Sequence, residues 1–150
     1  MNRYSIERWN SKDKCLRKVL MHYPGLEKIG YEELMSLCVE YVINSDFRRY
    51  KKEIVSVTSG EYNGEMLFVL IPEDETGDFL VSYIGYGSSV LCDMLKRIQE
   101  SWSKNEIDKA EAVNELMYIC KDMVCNLVKP YNAGWRHDPR FDIIEETLNC

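Results

Sequence analysis

Apolar residues recur at helical spacing through both ends of the chain and in short unbroken runs through its middle. From Lys12 to Tyr23, Cys15, Leu16, Val19 and Leu20 form one stripe. Ser11 stands before it as an N-cap, and Pro24-Gly25 stops it. From Tyr31 to Asn44, Leu34, Leu37, Cys38, Tyr41 and Val42 fall at i, i+3, i+4, i+7 and i+8, one face of a second helix. Ser45-Asp46 breaks that pattern. Arg48, Arg49, Lys51 and Lys52 follow as the one strong basic cluster, and a solvated connection ahead of a strand is its expected role.

The middle of the chain reads as a β-meander. Ile54, Val55 and Val57 begin a strand, and Asn63-Gly64 is the signature of a two-residue hairpin turn, whose central residues need positive φ. The unbroken apolar run Met66 to Ile71 predicts a central strand covered on both faces. Pro72 ends it, an acidic turn from Glu73 to Asp78 follows, and Phe79 to Ile84 supplies a third strand.

Gly85-Tyr86-Gly87-Ser88-Ser89 then leads into a helix over about 89–102, with Leu91, Leu95 and Ile98 on one face. Asn105 is placed to cap a long helix over about 106–128, with Ala110, Val113, Met117, Cys120, Val124 and Leu127 or Val128 as its stripe. Pro130 closes it. Asp138-Pro139 suits the start of a short last helix carrying Phe141, Ile144 and Leu148. The order α-α-β-β-β-α-α-α predicts one α+β domain over residues 1–150. In it a three-stranded antiparallel meander (about 53–84) has helices before and after it packed on the sheet.

Composition narrows the class. Hydrophobic residues at 45% and charged residues at 29% are ordinary for a globular chain. No run reaches the ~18 apolar residues of a membrane span, and the first residues lack the apolar core of a signal peptide, so a cytoplasmic protein is expected. A net charge of −6 disfavours nucleic acid as a partner and suits a protein partner with a basic surface. The six cysteines sit largely at apolar helical positions, which favours free thiols.

Candidate chemistry is sparse. Gly85 and Gly87 with Ser88 and Ser89 can form a backbone cradle for an anion at a helix start. No Lys follows as a phosphate-binding loop requires, and a tight turn capped by a serine is the default. Cys92, in the first turn of the next helix, is placed for a lowered thiol pKa. Asp93 opposes that shift, and only His22 and His137 exist as bases, so a structural Cys is expected. No C-x-x-C pair or histidine spacing suggests a metal, and no cofactor motif occurs. Glu73, Asp74, Glu75 and Asp78 surround the second turn, either as a solvated face or as a surface for a basic groove. Tyr131, Trp135 and His137 lie in a polar loop segment, suited equally to lidding the core or to a binding surface.

The segment Tyr86-Gly87-Ser88-Ser89-Val90-Leu91-Cys92-Asp93 resembles a Y-G-S-C-S-x-C-D motif of small proteins from phages and integrated mobile elements. Here Ser89 stands for the first Cys and Val90 for the second Ser, which removes a paired-thiol role from the motif. The resemblance implies a small accessory protein of a mobile element, a setting in which compact acidic proteins bind and block a host protein. The expectation is therefore an inhibitor of a host or rival protein, of anti-defence or anti-CRISPR-like type, without a catalytic set. A toxin-neutralising immunity protein and a small-ligand or nucleotide-binding protein using the Gly85 to Ser89 turn are the alternatives. Monomer and homodimer are both open.

Overall fold

The first helix, α1 (Arg3–Met21), begins well before the expected Lys12, and Ser11 is an exposed residue within it, not its cap. Ser5, Trp9, Leu16 and Leu20 are buried, spaced four, seven and four apart on one face. Burial of Trp9 holds the first turns in the helix, and Arg3 pairs with Glu7 one turn on. Cys15, expected in the stripe, is exposed. This computed structural model describes residues 3–59, 63–74, 79–87 and 94–129.

Past α1 the chain reverses through Gly25, whose φ of 78° is left-handed, as glycine tolerates best. A 3-10 turn (Leu26–Lys28) then leads into α2 (Tyr31–Cys38), which continues as a π-helix over Val39–Ile43. The widened turn is visible in its bonds: Asn44 N donates to Val39 O, five residues back, at 2.8 Å. It also keeps the buried stripe in steps of four. Leu34, Cys38 and Val42 run beside Met35, Val39 and Ile43, while Tyr41 of the expected stripe turns outward.

Three antiparallel strands follow in the order β1-β2-β3: β1 (Tyr50–Ser59), β2 (Asn63–Pro72) and β3 (Leu80–Gly87). The meander is as expected, with β2 central. Three boundaries differ. β1 starts at Tyr50, so Lys51 and Lys52, expected in the connection ahead of it, are strand residues paired with Ile71 and Leu70. Asn63 and Gly64 are strand residues: Gly64 pairs with Ser59 and with Tyr86, and Asn63 with Gly87, so they are not the centre of a two-residue turn. Gly85 and Gly87 are likewise rungs of β3, paired with Glu65 and Asn63. Cross-strand pairing carries both glycines past the point where local composition reads as a turn. A register shift between Ser56 and Thr58 marks a bulge in β1.

Consecutive residues Phe68, Val69 and Leu70 are all buried, so β2 is covered on both faces there. Phe68 and Leu70 join Tyr50 and Leu80 in the helix-side core, while Val69 and Val81 are paired on the opposite face. The outer edge of β3 bonds to Val128 through a two-bond bridge at Val81.

Helix α3 (Met94–Ser103) ends in a left-handed residue, Asn105, at φ 59°. Asn105 N donates to Trp102 O and Glu106 N to Ser101 O, the paired bonds of a Schellman closure. Asn105 thus terminates α3 instead of starting the next helix. The cap of α4 (Lys109–Cys125) is Asp108, whose carboxylate accepts from Glu111 N at 2.8 Å while Glu111 reaches back to Asp108 N. The buried face of α4 is wider than the expected stripe, adding Ala112, Leu116, Ile119 and Met123, and Ala110 is exposed. That width follows from position, since α4 packs against α1, α2, α3 and β3. Ser82 of β3 donates to Met123 O at 3.0 Å and fixes sheet to helix. The expected last helix from Asp138 lies outside the described residues. No helix among the described residues is long and apolar enough to cross a membrane.

Candidate functional site

The turn from Asn44 to Arg49, between the π-helix and β1, carries the most exposed large apolar side chain among the described residues. Phe47 is 98% exposed. An aromatic ring left wholly in water contributes nothing to the core. Its presentation follows from how the turn is built.

A helix end leaves carbonyls without intrahelical donors. Here α1 supplies those donors. Tyr4 OH donates to Ile43 O at 2.7 Å, and Arg8 donates from Nε to Val42 O at 2.8 Å and from Nη2 to Asn44 O at 2.9 Å. The Asn44 side chain crosses the base of the turn, accepting from Tyr50 N at 2.7 Å. At the tip, Ser45 N donates to Arg48 O at 2.9 Å and Ser45 Oγ accepts from Arg48 N at 3.2 Å, leaving Asp46 and Phe47 outermost. The Arg48 guanidinium lies 4.8 Å from the centre of the Tyr4 ring, in cation–π contact. Phe47 is therefore held by its flanks while its own ring touches solvent.

The rim carries both signs of charge. Pairing of Tyr50 with Pro72 sets the end of β2 beside the start of β1, and Glu73 N continues the ladder to Arg49 O at 2.9 Å. The Arg49 and Glu73 side chains meet at 3.5 Å, both half-exposed. Lys52 is drawn back toward α2, where it donates to Glu32 O at 3.2 Å. Asp46 and Arg48 are exposed in the turn, and Lys51 and Asp74 are exposed just past the start of β1 and the end of β2. Arg49 of the basic cluster and Glu73 at the start of the acidic turn, far apart in the chain, thus meet beside the turn that carries Phe47.

Of the residues singled out from sequence, Glu73 and Asp74 lie on this surface. Gly85 and Gly87 lie in β3, on the ladder with β2. Ser88, Ser89, Cys92, Glu75, Asp78, Tyr131, Trp135 and His137 lie outside the described residues. Phe47 was not anticipated. Its signal was an aromatic flanked on both sides by polar residues, Ser45, Asp46, Arg48 and Arg49. Among the described residues Tyr118, 65% exposed on the outer face of α4, is the other strongly exposed aromatic.

Burial separates the thiols. Cys38 and Cys120 are buried, and Cys15 is exposed. Hydrogen bonding to Cys120, burial, and the repulsion of a second thiolate push the Cys38 thiol well above its ordinary range. Burial also raises Cys125. Among the described residues no three His, Cys, Asp or Glu side chains converge as metal ligands.

No protein-family model matches the chain, and neither a curated protein nor a solved structure does.

Proposed function

We propose that this protein is a protein–protein binding module whose anchor is Phe47. The observation that carries the reading is a fully exposed phenylalanine at the tip of a turn braced by Tyr4, Arg8 and Asn44. Binding hot spots are aromatic or Arg side chains that enter a pocket, ringed by polar residues. A turn already ordered in the free protein loses little entropy on docking. The mixed rim favours a protein over a polyanion, because Glu73, Asp74 and Asp46 would repel phosphates while Arg48 and Lys51 attracted them. The carboxylates still call for cations on the partner, in keeping with a basic surface there. Blocking a host or rival protein in a bacterial cytoplasm, in the manner of an anti-defence protein, is the role proposed for this binding. Small size, net acidity and the Tyr86 to Asp93 resemblance support it.

The test is affinity capture from bacterial lysate with the wild-type chain, Phe47→Ala and Tyr118→Ala, at low and moderate salt. A stoichiometric protein retained by wild type and Tyr118→Ala but lost with Phe47→Ala supports the reading. Equal retention by all three removes Phe47 as the anchor.

A further inference from the structure

Strand β1 lies at the edge of the sheet, and its register shows where its backbone groups point. In an antiparallel ladder, residues bonded to the neighbouring strand alternate with residues whose N–H and C=O point away from it. Glu73 N donates to Arg49 O, so Arg49, Lys51, Glu53 and Val55 face β2, while Tyr50, Lys52, Ile54 and Ser56 face outward. Tyr50 agrees with this phase. It stands opposite Pro72, which has no N–H to give, and both its backbone groups meet the Asn44 side chain. Tyr50 N donates to Asn44 Oδ1 at 2.7 Å, and Tyr50 O accepts from Asn44 Nδ2 at 3.5 Å. The Asn44 amide thus makes the contacts that a neighbouring strand would make.

Past Tyr50 no described residue pairs with this edge. Its outward groups belong to Lys52, Ile54 and Ser56, bounded by Asn44 at one end and by the bulge between Ser56 and Thr58 at the other. Edge strands are commonly blunted by proline, by a charge held over the edge or by a cover. β1 contains no proline. The Lys52 ammonium is drawn back over α2, donating to Glu32 O at 3.2 Å and lying 4.0 Å from the Glu32 carboxylate.

We infer that a second copy of this chain occupies the edge, paired antiparallel through β1 about a two-fold axis at Ile54, so that the two sheets become one. Ile54 is the midpoint of the open stretch, so a single axis matches every outward group of one copy with one of the other. Ile54 faces its own equivalent, and Lys52 faces Ser56 of the second copy. Charge selects the same arrangement. The strand is basic at its start, at Lys51 and Lys52, and uncharged from Ile54 to Ser59. Antiparallel pairing sets each basic start beside the other copy's uncharged end, whereas parallel pairing opposes lysine to lysine. The inference goes beyond the Phe47 reading and stands whether or not Phe47 binds a partner.

The test is sedimentation of the full chain in reducing buffer over a range of concentrations, for wild type, Ile54→Pro and Phe47→Ala. Because the Ile54 N–H points away from β2, proline there removes no bond within the sheet. Wild type and Phe47→Ala should form a reversible dimer. Ile54→Pro should keep its circular dichroism and associate about 30-fold or more weakly, having lost the bonds on the axis. Amide exchange of the wild type decides the matter if Ile54→Pro does not fold: Lys52, Ile54 and Ser56 should exchange slowly in concentrated protein and fast in dilute protein. A monomer at every concentration overturns the inference, whatever else the edge then binds. So does a dimer that Ile54→Pro leaves intact or that Phe47→Ala dissolves. Protection of these amides in the dilute monomer overturns it as well, because the chain then covers its own edge.

Discussion

Arg8 makes a quantitative test of how the exposed turn is held. Its guanidinium donates two bonds, at 2.8 and 2.9 Å, to carbonyls that the end of the π-helix leaves without donors. Hydrogen bonds from a charged donor are worth about 1.5–3 kcal/mol each where the orphaned acceptor stays dry. These bonds are part-buried, so water recovers some of that when the side chain is removed. Arg8→Ala should therefore cost about 2–3 kcal/mol, including the packing of the aliphatic stem. For a chain of this length that lowers the thermal midpoint by about 5–10 °C. Urea denaturation followed by circular dichroism measures the free energy directly, and an unchanged slope confines the effect to the native state. Arg8→Lys keeps the charge but lacks the fork that reaches both carbonyls, so it should restore less than half of the loss. A cost within about 0.5 kcal/mol of zero for Arg8→Ala would refute the brace, placing Arg8 among ordinary surface residues.

Phe47→Ala should leave folding stability within about 0.5 kcal/mol of wild type, since the ring is exposed, while weakening partner binding by about 30-fold or more in a titration. Asp108→Ala removes the capping box of α4 and should cost about 1 kcal/mol in urea. Asn105→Ala should cost about 1 kcal/mol because alanine resists positive φ, whereas Asn105→Gly should be neutral or slightly stabilising in the same assay. Cys38 keeps its proton in the fold above the ~8.5 at which an unfolded thiol titrates, so the folded state then binds more protons than the unfolded one. Stability should hold below that pH and fall as pH rises toward the raised Cys38 value, and Cys38→Ala should flatten this fall in urea titrations across the alkaline range.

Where a periodic pattern coincides with burial, the chain's own order was enough. Leu34, Cys38 and Val42 marked the inner face of α2, and Met66 to Ile71 marked a central strand, because both patterns express which side of an element leaves water. Polar residues that double as cap and turn formers misled. Ser11 has the chemistry of an N-cap, but the burial of Trp9 and the bonds of Tyr4 and Arg8 to the end of the π-helix draw the preceding residues into α1. Asn105 serves at either end of a helix. Asp108 with Glu111 captured the start of α4 and left Asn105 to close α3.

The class of fold and the order of the described elements were legible in hydrophobic periodicity, which is local and set residue by residue. Tertiary structure alone decided the candidate surface. Arg49 and Glu73 are remote in the chain, and only the register of β1 against β2 brings them together. The exposure of Phe47 cannot be read from spacing, since Ile43 and Tyr50, four before and three after it, are both buried. Its exposure is a property of the braces supplied by another helix.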